Sequence, residues 1–274
     1  ADLPERDWLG LDLGIRTGLG DDMLRVGPVK IVSDGSFIGR SAAMHDCFHG
    51  DPGNAGVLLH EPEDLTRLIV GAHLAGWTVA THAIGDRAIG HVLDAVEIAQ
   101  RRAPRPGVRH RIEHFALATD EYIERSARLG VIPVPQGVFI SDFGDGMAAA
   151  VDPAKRDLIS RMRSLAEAGI VLNGSSDSPV SDANPLVSIH DMVHRLPRSG
   201  QLLGPRDRVT AAAAALAYPP RSAHPRPHAR YNGTPSPACP PASVALPDHP
   251  SQIPPDRIRD HHVPPILRAC EVAY

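Results

Sequence analysis

From Thr78 to Ser178 the chain alternates short β-branched runs with longer helical patterns: TVATH then DRAIGHVLDAVEIAQ, VRHRIEH then TDEYIERSARLG, VIPVP then PAKRDLISRMRSLAEAG, and finally IVLNGS. Such alternation argues for βα units around a parallel sheet. An earlier unit reads VKIVS, a long Gly-rich loop, and EPEDLTRLIVGAHLAG, which brings the strand candidates to five. Thr119 stands as a helix N-cap before two acidic residues, and Gly130 and Gly169 stand as C-terminal stops. The fold class expected is α/β, a partial (β/α)8 TIM barrel of about five βα units over residues 1–217.

The last 57 residues, Tyr218–Tyr274, break the pattern, with 14 of the chain's 27 prolines and five histidines: His224, His228, His249, His261 and His262. Prolines at this density remove backbone donors and oppose helix and central strand. Residues 218–274 are therefore expected to form an irregular or disordered tail, its histidines solvated rather than ligating. The composition from Pro219 to about Leu246 is also what GC-rich codons yield when translated out of frame, and that origin is the expectation for this stretch.

Formal net charge is −4, and no block of Lys/Arg interleaves with aromatics, which argues against a nucleic-acid groove or an anionic membrane surface. Cys47, Cys239 and Cys270 form no C-x-x-C pair, and an odd count speaks against a disulfide framework. No stretch approaches the ~18 apolar residues of a membrane span, and ADLPERDWLG has no basic segment leading into an apolar one. A cytoplasmic chain acting on a small molecule is expected.

Four potential metal ligands stand beside these strand-like runs: Lys30 in VKIVSDGS, His82 in TVATHAIGDRA, His114 in RHRIEH and Asp177 in NGSSDSPV. In a β/α-barrel the strand ends and following loops carry the chemistry, so their positions point to a metal-dependent hydrolase. Alternation in TVATH sets Thr78, Ala80 and His82 on one face, where small neighbours leave room. In RHRIEH it sets His110, Ile112 and His114 together, opposite Arg109, Arg111 and Glu113, with His110 deeper and in a core hydrogen-bonding role. Taken singly, His82 also reads as a satisfied core histidine, Asp177 as an Asx-turn or N-cap, and Lys30 as a snorkelling lysine. A lysine facing a metal pair can alternatively become a carbamate and supply two oxygens.

Together, KIVSDGS, THAIGDRA, HRIEH and SDSPV…NPL, in this order over Val29–Leu186, resemble amidohydrolase family 3 of the amidohydrolase superfamily, in its N-substituted formamide deformylase-like branch. The resemblance implies a distorted TIM barrel that hydrolyses C–N bonds of non-peptide amides. It implies Lys30 as a carboxylated lysine bridging two metals, His82 and His114 as ligands of the second, and Asp177 as both ligand and general base. The cofactor implied is a divalent metal, zinc by its ligand types. The family's first-strand His-x-His pair has no counterpart, since the chain contains no H-x-H. A carboxyl-terminal portion, lacking the first-metal ligands and impaired in activity, is what this implies.

Two other readings remain at this level. His110, Glu113 and His114 form an H-x-x-E-H spacing, a zinc-peptidase signature if the segment is helical; Pro106-Gly107, Val108 and Ile112 favour a strand instead. The other is a non-catalytic remnant. Five βα units leave a barrel unclosed, and its open edges would promote self-association.

Overall fold

The computed structural model of the chain describes residues 13–21, 24–218, 242–244, 253–260, 266–268 and 271–273. The chain divides into two units, Ala1–Pro133 and Val134–Tyr274.

The first unit is built on β1 (Val29–Val32), α1 (Pro62–Leu74), β2 (Val79–Ala83), α2 (Asp86–Arg102), β3 (Arg111–His114) and α3 (Asp120–Leu129). β2 pairs in parallel with β1 and with β3, as the alternation of strands and helices predicts. β4 (Ile132–Val134) follows in the order β1-β2-β3-β4, and Ile132 N–H donates to His110 O at 2.9 Å. The register pairs Ile31 with Thr81 and Thr81 with Ile112, and all three are buried. On the opposite face the same register aligns Val32, His82 and Glu113, and sets Lys30 beside Ala80 and Arg111.

The helix ends follow local chemistry. α1 opens on Pro62 with Glu63 and Asp64 in its first turn, and α2 carries Asp86 at its start and Arg101 and Arg102 at its end, each complementing the helix dipole. Thr119 accepts from Tyr122 N–H, and Gly130 closes α3 at φ 65°, as read from the sequence. Leu65, Ile69 and Val70 of α1, with Ile89, Val92, Leu93 and Val96 of α2, form the buried helical layer.

The second unit departs from expectation in two places. A helix, α4 (Phe139–Ala150), stands where none was predicted. Its buried positions, Ile140, Gly144 and Met147, keep helical spacing, but two glycines weaken the propensity signal. Gly144 is required by proximity, because a Cβ there would lie 2.8 Å from Pro197 Cγ. The long helix expected over 153–168 is instead a 3₁₀ turn, Pro153–Leu158, and a short α5 (Met162–Glu167). Between them the Ile159 and Ser160 carbonyls each accept from Arg195 at 2.8 Å, so they are unavailable to a helical ladder. Ile170–Ser175, the fifth strand candidate, carries no strand ladder.

α6 (Pro185–His194) and α7 (Ala211–Leu216) follow, capped by Asn184 and Thr210. A 3₁₀ helix, Pro255–Asp260, packs on α6, and Ile253 and Ile258 join Leu186, Ile189 and Met192 in one buried cluster. β5 (Ala242–Val244), β6 (Ile266–Arg268) and β7 (Glu271–Ala273) make a small antiparallel sheet. Most of the proline-rich stretch assigned to the tail, including nearly all of Pro219–Leu246, lies outside the described residues. Among the described residues no helix is long and apolar enough to cross a membrane.

Candidate functional site

His82 is the penultimate residue of β2 and is only partly buried, with Ala80 below it on the same face. Its Nε2 lies 2.9 Å from Gly35 O and 3.3 Å from Asp34 Oδ1. A carbonyl can only accept, so Nε2 carries the proton and the lone pair of the neutral ring resides on Nδ1. The strand end itself is fixed from β1, because Ser33 N–H and Ser33 Oγ both donate to His82 O, at 3.1 and 2.5 Å.

Strand parity alone would send His114 away from His82. β3 aligns Ala83 with His114 and His82 with Glu113, which leaves Glu113, not His114, on the His82 face. Glu113 is ion-paired within its own strand, accepting from Arg111 Nε at 2.8 Å. His114 escapes the parity rule through its backbone. Its φ is 70° and that of Phe115 is 48°, left-handed conformations that are uncommon outside glycine and concentrate at functional sites. The turn brings the His114 ring to His82, centroid to centroid 4.5 Å, edge to face at 71°. The two histidines singled out from the sequence thus lie side by side, although strand register alone would set them on opposite faces.

Lys30 shares the sheet face of His82, one matched pair further toward the start of the strands, and its side chain is exposed. Asp177 belongs to the second unit, where it lies at a left-handed turn with φ 57° whose carbonyl accepts from Val180 N–H at 2.9 Å. Among the described residues its carboxylate is tied into no hydrogen bond or ion pair.

His110 takes the core role expected of it. Val79 N–H donates to its Nδ1 at 3.1 Å, its Nε2–H donates to His73 Nδ1 at 2.8 Å, and His73 Nε2–H donates to Ala103 O at 2.8 Å. This chain of bonds closes only if both rings are neutral. Burial first, then the neighbouring His73 ring and the Arg105 guanidinium, which oppose a proton there, hold the His110 imidazole down to about 3. Burial, with Arg105 adding to it, lowers His73 as well, against the bond to Ala103 O. Arg105 fastens the same corner by donating to the carbonyls of His73, Trp77 and Gly76. The zinc-peptidase reading falls here, because Arg111–His114 is a strand and His110 is committed to His73 rather than set one helical turn from His114.

Asp34, beside His82, was not among the candidate residues. Its side chain is fully buried and its carboxylate accepts from three backbone amides: Ala43 at 2.9 Å and Gly85 at 2.8 Å on Oδ2, and Ile84 at 3.0 Å on Oδ1. The glycines of DGS and IGD are explained by the same junction. A Cβ on Gly85 would lie 1.9 Å from Ala43 O, and one on Gly35 would lie 2.1 Å from Ser41 Oγ. Asp86 is likewise structural, accepting from His45 and Arg87 amides, each at 2.9 Å.

Two adjoining imidazoles with one ring nitrogen fixed as donor fit a pair of nitrogen ligands for a borderline divalent metal. Among the described residues no group of three or more His, Cys, Asp and Glu side chains completes a cage around such an ion. A lysine carbamate would supply oxygen donors outside that group.

A family model described as "Amidohydrolase family" matches residues 10–262. YtcJ of Bacillus subtilis, named as an amidohydrolase, is 34% identical over 181 residues, 65% of this chain and 33% of that protein. N-substituted formamide deformylase of Arthrobacter pascens is 28% identical over 203 residues, 74% of this chain and 37% of that protein. The crystal structure of an uncharacterized metal-dependent hydrolase from Pyrococcus horikoshii superposes with a TM-score of 0.78 at 27% identity, covering 92% of this chain and 50% of that one. The chain thus spans about a third of the length of these curated relatives. Parallel βα units, a histidine pair at adjoining strand ends and a match over most of the chain agree, and the protein belongs to the amidohydrolase family.

Proposed function

We propose that this chain carries part of the active centre of a metal-dependent hydrolase that cleaves the C–N bond of non-peptide, amide-type small molecules. The observation that carries the reading is the His82–His114 ring pair, gathered from two strands at the cost of left-handed backbone at His114. Membership of the amidohydrolase family and likeness to a metal-dependent hydrolase support it.

In this reading His82 and His114 hold a divalent ion, zinc by ligand type. Lys30, on the His82 face of the sheet, adds its amine to carbon dioxide with loss of a proton and presents the carbamate oxygens as further ligands. An ion held there would supply Lewis acidity, activating water and polarising the scissile carbonyl. Asp177 takes the proton from the attacking water and delivers it to the leaving nitrogen. The relative named for its action on an N-substituted formamide supports an amide-type substrate for this chain too.

The test is metal content of the purified chain by plasma mass spectrometry, beside His82→Ala and His114→Ala. Near-stoichiometric zinc in the parent, lost in both variants, is the expected result. Absence of bound metal in the parent after zinc loading sinks the proposal.

A further inference from the structure

We infer that Asp34 is a positioning residue for His82, holding its imidazole in the Nε2–H form with Nδ1 as the ligating atom. The inference rests on the reading of His82 as a metal ligand. A ligating histidine needs its second nitrogen fixed by an acceptor, which sets tautomer and ring orientation together. At His82 the Nε2–H donates to Gly35 O at 2.9 Å, and the Asp34 carboxylate stands beside it with Oδ1 3.3 Å from the same nitrogen. Both come from the loop that leaves β1, and Asp34 determines where that loop lies.

The grip of Asp34 is unusual in its reach. One oxygen takes the amides of Ala43 and Gly85 and the other takes the amide of Ile84. Ile84 and Gly85 are the residues through which β2 passes from His82 into α2. The same carboxylate therefore holds the backbone just beyond His82 and faces the His82 ring, while its chain neighbour supplies the acceptor. With its side chain fully buried, Asp34 has no competing solvent partner.

The test is the imidazole ¹⁵N spectrum of the metal-free full chain, with the His82 signals assigned by their loss in His82→Ala. The expected pattern is a single Nε2–H tautomer. In Asp34→Asn the signals move toward a tautomer mixture, and zinc affinity falls by about 10–100-fold. An Nδ1–H form or an equal mixture in the native chain overturns the inference. So does a folded Asp34→Asn that keeps both tautomer and zinc affinity. If Asp34→Asn fails to fold, Asp34→Ser takes its place under the same criteria. Because the native spectrum is recorded without metal, a locked tautomer in a chain that binds no zinc refutes the metal reading of His82 and leaves the Asp34 clamp standing.

Discussion

Acid should weaken the first unit through one buried ring. In the folded chain burial, more than any neighbour, holds the His110 imidazole down to about 3, and Val79 N–H occupies its Nδ1, whereas an exposed histidine titrates near 6.5. A folded-state value below the unfolded one means that the unfolded chain binds more protons. The stabilisation from neutral His110 is therefore complete above pH 6.5 and is lost as pH falls toward about 3. Between pH 7 and pH 5 a single such group removes about 2 kcal/mol. His73, also lowered, acts in the same direction. Urea unfolding followed by tryptophan fluorescence suits the measurement, since Trp77 is buried in this unit and its carbonyl accepts from Arg105. In His110→Asn the amide oxygen can still accept from Val79 N–H, but His73 Nδ1 loses its donor. That variant should lose about 1–3 kcal/mol at pH 7. Its further loss on going to pH 5 should be smaller than the native chain's by about 2 kcal/mol. Equal pH dependence in the two chains would refute the assignment of neutral rings.

Four substitutions probe other parts of the structure. Gly85→Ala drives a methyl against Ala43 O and should cost at least about 1–3 kcal/mol in urea unfolding, with no compensating repack because the obstacle is backbone. Thr119→Ala removes the cap of α3 and should cost about 1 kcal/mol, read as a lower unfolding midpoint. Arg195→Lys replaces a buried fork that serves the carbonyls of Ile159, Ser160 and Leu203, and a loss of at least about 2 kcal/mol is expected by denaturation of the second unit. Ile258→Ala should cost about 2–5 kcal/mol if Pro255–Asp260 is anchored on α6, and an unchanged midpoint would show that it is not.

Legibility followed the kind of signal. β-branched runs marked β1 to β4, and Thr119 and Gly130 marked both ends of α3, because strand preference and capping act over a few neighbouring residues. α4 was hidden by Gly144, whose presence answers to Pro197, a neighbour distant in sequence. The division of 153–168 was hidden for the same reason, since Arg195 claims the Ile159 and Ser160 carbonyls from far along the chain. At the candidate site, strand-end position picked out His82 and His114, but parity could not anticipate a left-handed residue at the end of β3. Asp34 carried a signal, an acidic residue before glycine at a strand end, that reads equally as an ordinary turn.

The Asp34 carboxylate also bears on the order in which the first unit assembles. Its amide partners stand 9, 50 and 51 residues away, so the loop after β1 can close on Ala43 early but reaches Ile84 and Gly85 only after α1 has formed and β2 has docked. Until then a buried anion-binding turn lacks most of its donors, which makes local closure unrewarding by itself. Loop, strand end and helix start are thereby joined into one opening unit, whose three amides should exchange with solvent together rather than one by one.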